Sequence, residues 1–339
     1  MIRSKIHEQF ARRCVRNKNA RYLSGRAPKS AEGDFAILKY MSIFTRFFGK
    51  SEADDVGGGR LVANPAIEHP LSLQVLFPEP SRLDSGRLAE GFKTFHRSMS
   101  DVRCEFEPQL NREGTVLGMA GWEKHVIRFV GFNLPMPSEA VEQCVAPAHY
   151  SQELKARVRA HKAHVILYYA GFDSSPLEQY VALAATAGVL SQFGAIVVLN
   201  ESGHTSFPVA ALSSSTSKED ALDLLRSLPL PILYCGFVKH EVKDVLGVWM
   251  RTYGAGLLGL PDLAAHAQGH HEGQRYFDIF ENVLSYLRTS GARLAPGHTM
   301  ELHEEKFLRV RLPNKEEGFL SSDRELLVAE IIGADEINR

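Results

Sequence analysis

The chain has 339 residues, 44% hydrophobic and 23% charged, values of a globular chain long enough to bury a sizeable core. Its net charge of −1 divides unevenly: residues 1–40 carry ten Lys/Arg against three Asp/Glu, so +7 there leaves −8 over residues 41–339. A mildly acidic body argues against non-specific nucleic-acid binding, because phosphate attraction scales with the cations presented.

The basic leader, residues 1–40, is expected to be a disordered extension, with a transit peptide and a nucleic-acid arm as the alternatives. No apolar stretch follows its early charges, so a secretory signal does not fit. Met41 opens "MSIFTRFFGK", which has the look of a natural beginning. Residues 41–66 are expected to be a linker, polar and glycine-rich from Gly49 onward. The folded domain is placed at 67–335, with a candidate sub-boundary near 150–160.

Within it, "LSLQVLF" (71–77) predicts a strand, "SGRLAEGFKTFHRSM" (85–99) a helix and "KHVIRFVGFNL" (124–134) a strand. "SQELKARVRAHK" (151–162) predicts a polar helix and "HVILYYAG" (164–171) a buried strand. The next stretch, "YVALAATAGVLSQFGAIVVL" (180–199), has no charge over a length that could cross a bilayer. Its content argues otherwise. Thr186, Ser191 and Gln192 interrupt it, Leu177, Tyr180, Val181, Ala184, Ala185, Gly188 and Val189 keep helical spacing, and "AIVVL" after Gly194 is a β-branched run. A helix closed by Gly194 and followed by a buried strand is the expectation, and no membrane span. Further on, "KEDALDLLRSL" (218–228) predicts a helix, "PILYCGFV" (231–238) a strand, and "RYFDIFENVLSYLRTSG" a helix capped by Gly291. "HTMEL", "FLRVRL" and "ELLVAEII" predict three closing strands. The irregular order points to α+β: mixed or antiparallel sheets with packed helices, in one large domain that could have two halves.

Motifs for chemistry are mostly absent. There is no G-x-x-x-x-G-K-[ST], no H-E-x-x-H and no G-x-S-x-G; "GGGR" at 57–60 lacks a preceding strand and suits a linker. The four cysteines, Cys14, Cys104, Cys144 and Cys235, form no C-x-x-C pair and are expected to be small core residues in a reducing cytosol. Three histidine-bearing places remain. His161 and His164 could face one metal ion, or simply bond backbone. "NESGHTS" (200–206) follows a buried strand, where Glu201 and His204 could act as an acid/base pair, or the segment could be an ordinary turn. His266, His270, His271 and Glu272 could trap a metal opportunistically but sit between flexible glycines. In "GHTMELHEE", period-two alternation puts His298 on one strand face and Glu301 and His303 on the other. No cofactor is predicted.

Taken together, "HKAHVILYYAG", "FGAIVVLNESG", "RTYGAGLLGLPDL" and "FENVLSYLRTSGARLAPGHTM" resemble the bacterial family catalogued as domain of unknown function 4261. The similarity spans about 71–332. It implies a cytoplasmic α+β protein with no established activity, sometimes placed near secretion-system toxins and immunity-type proteins, and it transfers no catalytic residues. "RTYGAGLLGLPDL" (251–263) suits a tight chain reversal, and Trp249, Arg251 and Tyr253 are residue types enriched at binding hot spots, so a partner surface is expected there as an alternative to core packing. Two functions follow as expectations: a protein-interaction module, immunity-like or a secretion-system accessory, and alternatively a metal- or histidine-assisted hydrolase around Asn200–His204. A protein partner is expected, with no nucleic acid and no membrane.

Overall fold

The computed structural model describes residues 60–107, 114–213, 220–303, 305–320, 322 and 324–337. Residues 61–339 form one compact unit. The predicted extension and most of the predicted linker lie outside the described residues.

Thirteen strands fall into two sheets among the described residues. The first has the order β2-β3-β4-β5-β1-β6-β7 and is antiparallel throughout. Its strands are β1 (Ser72–Phe77), β2 (Arg103–Phe106), β3 (Thr115–Trp122), β4 (His125–Phe132), β5 (Ala163–Tyr169), β6 (Val197–Asn200) and β7 (Thr205–Pro208). Strands from both sides of residues 150–160 pair within it. The second has the order β11-β12-β13-β10-β9-β8 and is mixed, because β10 and β13 run parallel. It comprises β8 (Gly236–His240), β9 (Val248–Tyr253), β10 (Asp262–Ala267), β11 (Thr299–His303), β12 (Lys306–Arg311) and β13 (Leu326–Gly333). The helices are α1 (Ser85–Phe95), α2 (Ser138–Val145), α3 (Gln152–Arg159), α4 (Pro176–Leu190), α5 (Val209–Leu212), α6 (Ala221–Arg226), α7 (Leu230–Leu233) and α8 (Gly273–Ser290). The α+β expectation holds.

The uncharged stretch supplies the centre of this architecture. Ser175 caps the N-terminus of α4, its hydroxyl accepting from the Glu178 N–H, and Pro176 occupies the first turn. Every residue from Tyr180 to Leu190 is buried, so this helix has no polar face to offer water. The chain leaves it through a short 3-10 turn and Gly194, whose φ of 89° is the left-handed conformation that ends helices. β6 follows at once. Among the described residues no helix is long and apolar enough to cross a membrane.

One continuous core joins α4 to both sheets: Leu73, Phe129 and Leu167 from the first, Met250, Leu263, Leu308 and Leu327 from the second, and Phe280 from α8. The outer face of the first sheet is covered by α2 and α3, which pack Val141, Cys144 and Val158 on Leu76, Val197 and Leu199. The outer face of the second carries Trp249, Ala264 and Val328 under Leu320 and Leu326. Cys144 and Cys235 are buried and Cys104 half-buried, all free thiols, and burial pushes Cys104 up to about 12.

One predicted strand is corrected. "PILYCGFV" divides into the helical turn α7 and β8. Pro231 falls in the first turn of α7, where its missing N–H costs nothing, and the N–H groups of Tyr234 and Cys235 both return to the Leu230 carbonyl. Strand pairing can begin only after that turn closes.

Candidate functional site

The sequence-derived candidates gather at the seam between the sheets. Asn200 ends β6 fully buried. Its Nδ2 donates to the carbonyls of Leu233 (2.8 Å) and Tyr234 (3.2 Å), and its Oδ1 accepts from the Gly203 N–H (3.1 Å). These three bonds hold the 201–203 turn against the segment that leads into β8. Thr205 adds a bond from Oγ1 to the Ile232 carbonyl (3.0 Å). Arg251 to Leu263 is the expected chain reversal: β9 gives way to Gly254 (φ 84°), a 3-10 turn and β10.

His204 leaves the turn in a left-handed conformation (φ 49°, ψ 41°) and stacks on Tyr253, centroids 4.3 Å apart. The Arg251 guanidinium lies over the same ring, 4.2 Å from its centroid. Burial and then the Arg251 charge hold His204 below its ordinary pKa, so a neutral imidazole is favoured. Asp262 is buried beside this stack and accepts from Thr252 Oγ1 (3.2 Å) and the Ala255 N–H (3.1 Å); burial raises its pKa against those bonds. Glu201 is different. Burial alone raises its pKa, and its charge bears on Cys144 and Tyr168 rather than on His204. The one bond between Glu201 and His204 is backbone, the His204 N–H to the Glu201 carbonyl (3.1 Å); no side-chain hydrogen bond joins them among the described residues. The two halves of the expected acid/base pair face different neighbours.

The remaining candidates are placed apart. The Met136 N–H donates to His161 Nε2 (2.8 Å), and His161 Nδ1 donates to the Val158 carbonyl (2.7 Å). Both ring nitrogens are thus engaged by backbone, the alternative left open from sequence. His164 Nδ1 donates to the Leu134 carbonyl (2.7 Å). His266 bonds the Leu246 carbonyl and His270 meets Glu241 (3.1 Å). Among the described residues no three His, Cys, Asp or Glu side chains converge in a metal-binding arrangement. Of the three residues of the expected partner surface, Trp249 and Arg251 are only 4% and 3% exposed, because β9 is paired on both sides and covered on both faces, while Tyr253 is half-buried.

A second place carries only a faint signature in the sequence. β10 pairs with β13 at only three positions, Asp262↔Leu326 to Ala264↔Val328, yet follows β9 to Ala267. β13 meanwhile follows β12 to Gly333. Past the last shared pair the two strands separate, and a cavity of about 750 Å³ opens between His266 and Gln268 on one side and Ala329 to Ile331 on the other. Side chains from the start of α8 and the turn before it replace the lost ladder on the β10 side: the Tyr276 hydroxyl donates to the His266 carbonyl (3.3 Å) and Glu272 accepts from the Gln268 N–H (2.7 Å). Trp249 and Phe319 form an aromatic wall, their rings 5.5 Å apart and edge to face. Across the cleft Arg311 is forked onto Glu317 through two bonds of 2.7 Å and reaches Glu330 at 2.6 Å, which fixes the 315–320 turn over the sheet. The only hint in the sequence is "DVLG" (244–247), two apolar residues set between turn formers where a solvated hairpin would normally be polar.

Residues 251–328 match the family model described as domain of unknown function (DUF4261). The resemblance drawn from the four motifs is upheld over that segment, which also supplies most of the cleft lining. No curated protein and no solved structure matches the chain.

Proposed function

We propose, for a chain whose residues 251–328 match the DUF4261 family model, that its work is to bind another polypeptide through the cleft face of the six-stranded sheet. The observation that carries this reading is a group of four exposed apolar residues around one recess. Val245, Leu246, Leu312 and Phe319 are 40%, 93%, 59% and 37% exposed, and all four line the cleft or lie on the segments that border it. Single exposed apolar residues are ordinary, but a cluster around a recess is the signature of a contact surface. The setting we propose is the bacterial cytoplasm, in an immunity-like or secretion-system accessory role.

The hydrolase reading at Asn200–His204 ranks second. It needs Glu201 and His204 to share a proton path, and the hydrogen bonds of that turn go to the scaffold instead.

The test is a photo-reactive residue at position 246, activated in the producing cell. It should trap a defined polypeptide, and a Val245→Asp/Leu246→Asp variant should retain far less of it on purification. Equal recovery from wild type and variant would overturn the reading.

A further inference from the structure

We infer that the polypeptide received by the cleft face is a second copy of this chain, arranged about a two-fold axis; the inference rests on the reading of that face as a binding surface. A two-fold contact sets one patch against itself, so the patch must carry both members of every complementary pair.

This face does so in shape. The turn between β8 and β9 lifts Leu246 to 93% exposure, and the cleft opens beside it. The projection is held in place from below, because His266 Nε2 donates to the Leu246 carbonyl (2.6 Å), and Asp244 (φ 65°) and Gly247 (φ 96°) fix the turn. A knob already ordered loses little freedom on docking.

It does so in charge as well. Arg311 is paired with Glu317 and Glu330, and Arg275 with Glu272. Among the described charged residues lining the cleft, Lys306 and Glu316 alone make no ion pair; they are opposite in sign and both exposed. A foreign partner selected by charge would face an excess of one sign. A balanced pair is what a second copy matches, Lys306 of each chain meeting Glu316 of the other, twice over.

Light scattering on the full chain across the micromolar range tests this. The wild type should be a dimer and Leu246→Asp a monomer, with an unchanged circular dichroism spectrum showing that the variant is folded. Lys306→Glu and Glu316→Lys should each weaken the dimer roughly tenfold, and the double reversal should restore it, since two ion pairs are inverted and then rebuilt. A monomeric wild type, or a dimer indifferent to these changes, overturns the inference. If the wild type is monomeric while position 246 still traps a different protein, only the second-copy inference falls. If nothing is trapped either, the binding reading falls with it.

Discussion

His204 and Tyr253 stack with their ring centroids 4.3 Å apart and their planes 27° from parallel, joining the turn after β6 to the end of β9. This contact ties one sheet to the other, and it is made by a histidine in the left-handed region (φ 49°). Alanine at 204 would lose the stack and keep the backbone strain, whereas glycine would lose the stack and relieve strain of about 1–2 kcal/mol. His204→Gly should therefore be more stable than His204→Ala by about 1 kcal/mol in urea unfolding. Equal midpoints would mean that the left-handed turn is not held in the folded chain.

Thr252 works as a relay under the same seam. Its Oγ1 accepts from the Leu263 N–H (2.8 Å) and donates to Asp262 (3.2 Å), with all three groups buried. Thr252→Val keeps the shape, strips the Leu263 N–H of its acceptor and leaves Asp262 Oδ1 with the Ala255 N–H alone. A loss of about 2 kcal/mol is expected, measured by denaturant unfolding with the circular dichroism spectrum unchanged. A neutral substitution would show that water reaches the site.

Acid should act through His161. Burial holds its pKa below the ordinary value, outweighing the opposite pull of the Val158 carbonyl, and Nε2 already faces the Met136 N–H, so a second ring proton has no acceptor. A histidine whose folded pKa lies below the unfolded value of ~6.5 contributes fully above that pH. Its contribution is lost as pH falls through the folded pKa. Magnetic resonance titration should place the His161 midpoint under ~6.5, and His161→Gln should flatten the decline of stability on the acid side. A midpoint at or above that value contradicts the assignment.

The sheets also meet through glycine. A Cβ on Gly236 would be driven into the Gly203 carbonyl, a backbone atom that cannot swing aside. Gly236→Ala should cost about 3 kcal/mol by forcing β8 off the 201–203 turn. Gly318, where a Cβ would meet nothing within 4 Å, is the control and should tolerate alanine in the same unfolding assay. Similar midpoints for the two variants would place the seam elsewhere.

The elements that the sequence announces are those whose own side chains specify them. α4 and β6 are legible because small and β-branched residues change period at Gly194, and Gly291 closes α8 for the same local reason. β3 and β10 carry no such signal: "TVLGMAGW" and "DLAAHA" are weak strand formers that pair because β4 lies beside the first and β9 and β13 flank the second. The candidate site divides along the same line. That Asn200, Glu201 and His204 sit beyond a buried strand could be read from their order, but the partners that occupy them arrive from Leu233, Tyr234 and Tyr253.

What the sequence determined by itself is the set of segments that avoid water, because burial of apolar side chains is encoded in their local period. Which faces those segments turn to one another is a different matter. The parting of β10 from β13 depends on pairings between residues more than sixty positions apart, and on Tyr276 and Glu272 taking over the bonds left open. Only the folded chain brings those groups within reach, so the cleft and its exposed leucine belong to the tertiary structure alone.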